Sequence, residues 1–313
     1  MTIRQYTLAM KNLSHQKTAV FVLLIVTLIW GATFTLTKDA LADVDPYSFL
    51  AVRFVIAAIC LVVTSLCVKA TRRSFTKKTW ILGVLLGILL FFAYIFQTVG
   101  LNFTTPAKAG FLTGLSVVLV PIFAPFVVGH RIRLHVAISA IMALIGLYML
   151  CGVDLSHFAK GDILVLLCSV FLAFQILYIE KWGENVDSLA LSTVEIGTLG
   201  ILSFITACMN QAHTKSISVW FRPNVLIAIL VCALLATSIA FYAQTIFQKA
   251  ITSAQTAVIF SMEPVFAALI SFILTGESLN ILQWIGSTLI FSSMLAADEN
   301  LFRRTFVRHA ARR

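Results

Sequence analysis

Apolar residues run along this chain in blocks near twenty long, parted by short polar connections. A bilayer core about 30 Å thick requires roughly twenty apolar residues of a helix that crosses it. Ten blocks meet that measure, near 19–37, 47–68, 80–100, 107–128, 134–152, 162–180, 188–209, 223–248, 253–275 and 280–297. Backbone groups facing lipid must be bonded internally, which leaves helices or a closed barrel. Barrel strands alternate apolar and polar positions over about ten residues, and these blocks do not alternate. The pattern predicts an all-α integral membrane protein with ten transmembrane helices, flanked by tails over 1–18 and 298–313.

Polar residues inside the blocks carry a second pattern. "FQTVGLNFTTPAKAG" (96–110) is echoed by "AQTIFQKAITSAQTA" (243–257). A shift of 147 residues places Gln97 on Gln244, Thr98 on Thr245, Thr105 on Thr252 and Ala107 on Ala254, with Tyr94 on Phe241. An offset of 142 carries the second block onto the seventh, Asp45 onto Asp187 and Arg53 onto Glu195. The chain therefore reads as two five-helix repeats, 19–152 and 162–297. Five crossings per repeat force the two halves into the membrane in opposite directions. Such inverted repeats place a binding site near the midplane, between the halves.

Composition agrees. Of 313 residues, 60% are hydrophobic and 12% charged, whereas soluble domains carry about a quarter charged residues. The net charge of +10 raises the question of a polyanionic partner. Placement answers it. With a cytoplasmic N-terminus, 17 of the 23 Lys and Arg fall inside, Lys38, Lys108, Lys160, Lys215 and Arg222 fall outside, and Arg53 stays within the membrane. That is a positive-inside bias, and no nucleic acid is needed to explain the basic excess. The arginines of the 303–313 tail are placed to touch anionic lipid heads. The six cysteines lie in or beside apolar blocks without a CxxC, as small core residues rather than a disulfide frame or metal site. The first block reads as an uncleaved anchor.

Several stretches carry a family resemblance. They are "LIWGATFTLTKDAL" (28–41), "RFVIAAI" (53–59), "TTPAKAGFLTGLSVVLVPIFAP" (104–125), "SMEPVFAALISFILTGESL" (261–279) and "QWIGSTLIFSSMLA" (283–296). With ten helices in two halves, the chain resembles the EamA-like family of the drug/metabolite transporter superfamily over about 280 residues. One departure is His130-Arg131 where the second half has Glu277. The resemblance implies movement of small metabolites across the cytoplasmic membrane, often export of amino acids, with a small-molecule substrate, a lipid setting and no cofactor. It fixes neither cargo nor oligomeric state.

Tyr94, Gln97 and Thr98 stand at i, i+3, i+4 and share a helix face. Phe241, Gln244 and Thr245 repeat that face. A bare amide in hydrocarbon is costly, so both faces point at other helices or at water. They are either interhelical glue or the lining of a central cavity. Trp30, Phe34, Tyr178 and Tyr242 are aromatic candidates for the same lining. Gly83 and Gly87, and Gly110 and Gly114, have the spacing of close helix packing.

Three charged residues fall inside the membrane: Arg53, Glu195 and Glu263. At about 1.5 Å per residue, Arg53 lies roughly 10 Å from the outer face, Glu195 roughly 10 Å from the inner face and Glu263 near the midplane. Such residues are expensive and tend to face a cavity or each other. All six histidines lie in tails, loops or helix ends, which leaves Glu263 as the candidate for proton coupling.

Membrane-embedded enzyme chemistry finds no HExxH, GxSxG or metal-ligating cluster, and a primary pump finds no GxxxxGK[ST] loop. A passive channel or scramblase stays open on sequence alone. An antiporter of phosphorylated or nucleotide-linked sugars would need several cavity cations, and Arg53 is the one offered. The topology predicts that a cysteine replacing Ser216, in a background without the native cysteines, reacts with an impermeant thiol reagent added outside intact cells. Labelling only after lysis would reverse the orientation.

Overall fold

The computed structural model describes residues 3–129, 133–152, 159–210, 217–275 and 279–297. His130, Arg131, Glu277, Ser216 and the 303–313 tail lie outside the described residues. The described chain is helical: α1 (Ile3–Leu41), α2 (Pro46–Cys67), α3 (Lys77–Gly100), α4 (Pro106–Gly114 and Ser116–Val127), α5 (Leu134–Cys151), α6 (Lys160–Trp182), α7 (Ser188–Met209), α8 (Pro223–Ala250), α9 (Ser253–Phe260 and Glu263–Thr275) and α10 (Ile281–Ala297). Among the described residues, nine of these helices are long and apolar enough to cross a bilayer, and α10 adds a tenth apolar helix of 17 residues. A single turn, Lys69–Arg72, joins α2 to α3.

The repeated polar residues start the helices. Asp45 caps α2 by accepting from the Ser48 N–H at 2.9 Å, and Asp187 caps α7 by accepting from the Ala190 N–H at 2.9 Å. Thr105 and Thr252 likewise cap α4 and α9, each bonding an N–H three residues on at 3.2 Å. A side-chain oxygen there satisfies a donor that the first helical turn leaves orphaned. Pro106 follows Thr105 in the first turn, where its missing N–H costs nothing.

Both α4 and α9 break at the same repeat position. The first break separates Gly114 from Ser116, and the second separates Phe260 from Glu263. In α9 the cause is Pro264, which has no N–H for the carbonyl of Phe260. No proline stands at the matching site of α4, and the structure offers no equal cause there. The consequence is shared: Ser116 and Glu263, 147 positions apart in the repeat, each open a second helical piece.

Packing runs mainly between the halves. α2 lies against α7, and α5 against α10, so each pair joins equivalent helices. α1 packs on α8 and α9, while α6 packs on α3 and α4, which is the same contact read from the other repeat. One apolar cluster mixes Leu112, Val117 and Leu147 with Val258, Val265 and Ile290, and another joins Leu50, Phe54 and Leu90 to Ile196, Leu199 and Phe241. Between α5 and α10 the backbones meet at two glycines. A Cβ on Gly146 would lie 2.8 Å from the Gly286 oxygen, and one on Gly286 would lie 2.6 Å from the Gly146 oxygen. Gly83 and Gly87 likewise admit α7, at Val194 and at the Glu195 carbonyl.

Gly146→Leu should therefore force α5 from α10 and cost about 1–3 kcal/mol of stability, as overpacking does. Gly197→Ala is the control, since nothing lies within 4 Å of the added methyl. Thermal unfolding in detergent should fall for the first and hold or rise for the second.

Candidate functional site

A cavity opens between the halves and offers about 80 Å³ to water-sized bodies, the scale of several waters. α1 supplies Trp30, Thr33, Phe34 and Thr37, and α2 supplies Arg53. α3 supplies Tyr94, Gln97 and Thr98; α4 supplies Gly110, Thr113, Gly114 and Ser116. From the other half come Cys168 and Gln175 of α6, Phe241 and Gln244 of α8, and Phe260 and Glu263 of α9.

Arg53 is held on one side only. It is 5% exposed, so it does not reach up to the membrane surface. Its Nε donates to Thr237 Oγ1 at 3.1 Å, and its guanidinium carbon lies 5.0 Å from the Phe54 ring centroid and 4.9 Å from that of Tyr94. Rings that close attract a desolvated cation. Among the described residues no carboxylate lies within ion-pair distance of it. Thr237 can accept because it donates its own proton elsewhere, to the Cys232 carbonyl five residues back at 2.7 Å. That reach follows from the wide π-helical winding of Val231–Ile239 within α8. Ser238 does the same to the Ala233 carbonyl at 3.0 Å. Single π segments recur at functional sites. The indole of Trp30 also donates into this segment, to the Ala236 carbonyl at 2.9 Å.

Glu263 opens the second piece of α9 and is half-buried against the cavity. Among the described residues its carboxyl has no hydrogen-bond or ion-pair partner. Gln97 donates to Thr113 Oγ1 at 3.2 Å. Opposite it, Gln244 donates to Gln175 Oε1 at 3.1 Å and to Gln248 Oε1 at 3.0 Å. Gln248 donates to the Ile176 carbonyl at 2.7 Å, and Gln175 to Glu195 Oε1 at 2.9 Å.

Two lysines outside the cavity lining are engaged near helix starts, one at α4 and one at α9. At the first, Asp162, its side chain fully buried, accepts from Lys108 Nζ at 2.8 Å, Thr104 Oγ1 at 2.5 Å and the Ala159 N–H at 2.8 Å. At the second, Lys249 Nζ donates to the Val186 carbonyl at 2.7 Å and Ser188 Oγ at 2.8 Å, while Glu180 accepts from the Ser253 N–H at 3.0 Å.

Eight of the residues singled out in the sequence share this cavity: Trp30, Phe34, Arg53, Tyr94, Gln97, Thr98, Gln244 and Glu263. Four stand elsewhere. Glu195 is fully buried behind Gln175. Thr245 turns from its Phe241-Gln244 neighbours toward α7, where Ser192 Oγ donates to it at 2.9 Å, so it is interhelical glue. Tyr178 stacks on Trp182, ring centroids 4.8 Å apart, and Tyr242 packs against the Leu50–Phe54 cluster. Gly110 faces the cavity rather than a tight helix contact. Thr33, Thr37, Thr113, Cys168 and Gln175 were not anticipated. Of these only Gln175 bears a signal, as a lone amide inside the apolar run of α6.

A multi-pass helical membrane protein whose inverted halves enclose a cavity with polar and charged side chains in its wall has the architecture of membrane transporters. Sequence comparison narrows the class. The profile of the EamA-like transporter family matches residues 17–152 and again residues 159–297. The chain belongs to that family. An uncharacterized transporter of Archaeoglobus fulgidus is 33% identical over 275 residues, covering 87% of this chain and 83% of its own. The uncharacterized transporter YvbV of Bacillus subtilis is 28% identical over 196 residues, 61% of this chain and 62% of its own. A crystal structure superposes with a TM-score of 0.75 at 21% identity, covering 92% of this chain and 99% of that one; at that identity the likeness shows the fold.

The bonding separates the two repeated glutamines. Gln244→Ala strips partners from Gln175 and Gln248, both buried, and should cost about 1–3 kcal/mol. Gln97→Ala removes one bond beside the cavity and should cost about 1 kcal/mol or less. Thermal unfolding of the two variants checks the order.

Proposed function

We propose that the chain is a secondary transporter that carries a small zwitterionic metabolite, of the amino-acid class, across the cytoplasmic membrane by alternating access, as an exporter or exchanger. One observation carries the reading: among the described residues, one cavity holds a guanidinium without a carboxylate partner and a carboxyl without a hydrogen-bond or ion-pair partner. Arg53 commits Nε to Thr237, and its terminal nitrogens remain for a bidentate carboxylate. Glu263 holds the ammonium of the cargo, or a proton in its absence. Tyr94, Phe34 and Trp30 supply aromatic wall to the same cavity.

Size and charge support a small cargo. A dianionic phosphate or nucleotide sugar calls for several cations, and Lys108 and Lys249 are engaged by the protein outside the cavity lining. Transport follows when the halves rock. Both termini lie in the cytoplasm in this reading.

Glu263→Gln keeps shape and hydrogen bonding but cannot ionise. In proteoliposomes it should abolish pH-dependent net transport while folded protein is recovered at normal yield. A Gln variant that transports at the normal rate with the normal pH profile would return Glu263 to a packing role.

A further inference from the structure

Thr237 meets Arg53 with a fixed polarity. A threonine hydroxyl has one hydrogen to give and lone pairs that receive. Thr237 spends the hydrogen on the Cys232 carbonyl at 2.7 Å, so its oxygen faces Arg53 Nε, 3.1 Å away, as an acceptor only. Threonines in regular helix bond three or four residues back, as Thr206 and Thr245 do here. Thr237 reaches five back, within the π winding of Val231–Ile239. The next residue, Ser238, bonds the Ala57 carbonyl of α2 at 3.3 Å. The winding is thus pinned to the helix that carries Arg53, one turn from that residue.

The Thr237 bond divides the guanidinium. Its five N–H groups form a planar fork, and Thr237 takes the one on Nε. Among the described residues the two terminal nitrogens have no hydrogen-bond or ion-pair partner, and neither is sealed off from open space. Arg53 lines the cavity, so the terminal nitrogens are the edge it offers there. The Phe54 and Tyr94 rings lie 5.0 and 4.9 Å from the guanidinium carbon. A ring attracts the cation as a whole and does not choose which edge of the fork turns outward. Thr237 makes that choice. It is fully buried and outside the lining, so it acts on a cargo only through Arg53.

We propose that Thr237 is a positioning residue: by holding Arg53 Nε it turns the two terminal nitrogens into the cavity, where they take both oxygens of the cargo carboxylate end-on. The inference rests on the zwitterion reading and deepens it, since it fixes how the carboxylate is held. Without the hydroxyl the fork rotates against the rings, and the carboxylate and ammonium sites no longer match the spacing within one cargo.

The test uses thermal-stability titrations of the purified full chain with the twenty L-amino acids. The carboxamide of whichever amino acid stabilises the wild type most keeps the ammonium and the side chain, and is titrated alongside and as a competitor. In Thr237→Val, which keeps the shape and drops the hydroxyl, affinity for the amino acid should fall roughly tenfold, while affinity for the carboxamide stays within about twofold. Thr237→Ser, which drops the methyl and keeps the hydroxyl, should hold the amino-acid affinity within about twofold of the wild type. A packing role would weaken Ser as much as Val and would move both ligands together. Equal losses for the two ligands, an unchanged amino-acid affinity in the Val variant, or a Ser variant as weak as the Val variant would each overturn the proposal. Where Thr237→Val gives no folded protein, Thr237→Ala is held to the same outcomes; where the carboxamide does not compete, the contrast with Thr237→Ser decides alone. A wild type stabilised by none of the twenty, or bound by the carboxamide as tightly as by the amino acid, overturns the zwitterion reading, and the inference falls with it. The wild-type titrations alone tell the two failures apart.

Discussion

Hydrocarbon offers no hydrogen bond, and that constraint organises this molecule. A polar group in the membrane must find its partner on another helix or face water. Here several of the partners come from the opposite repeat. Arg53 of α2 is bonded by Thr237 of α8, Trp30 of α1 by the Ala236 carbonyl, and Ser65 of α2 by Thr193 of α7 at 2.6 Å. Neither half has a polar interior complete in itself. The same crossing governs the apolar contacts, in which the first helix of each repeat rests on the third and fourth of the other. The two halves fold as one body with a seam, and the cavity lies in the seam.

Near-symmetry makes the cavity, and broken symmetry gives it chemistry. The paired breaks in α4 and α9 set Ser116 and Glu263 at matching places on opposite walls, one neutral and one ionisable. The paired third and eighth helices differ in winding: α3 is regular throughout, while α8 widens into a π segment where it meets Arg53. A duplicated scaffold thus presents a cation, a carboxyl and a pair of amides at distinct places around one cavity.

Much of this was written in local chemistry. The ten apolar blocks follow from bilayer thickness, and the caps follow from Asp45, Asp187, Thr105 and Thr252 standing just ahead of apolar runs in both repeats. Arg53 and Glu263 stood out because a charge in hydrocarbon requires a reason. What the pattern of residues does not carry is helix rotation. Glu195 and Gln175 are both polar intrusions in apolar helices, yet a modest turn about the axis decides which one reaches the cavity and which one backs it. Thr245 shows the same limit, since one position separates a lining glutamine from a packing threonine. The π winding over "VCALLATSI" has no signature in composition. It is the winding that lets the hydroxyls of Thr237 and Ser238 reach carbonyls five residues back.

The central claim is that the seam between the halves is the path of the cargo. Ser116 lines it, carries no charge and occupies the repeat position of Glu263. The most direct measurement places a single cysteine there, in a chain whose native cysteines have been replaced, and applies an impermeant thiol reagent from each side of the membrane in turn. The account predicts reaction from both faces and protection by saturating cargo. Reaction from neither face, or from one face alone with no protection by cargo, would contradict it.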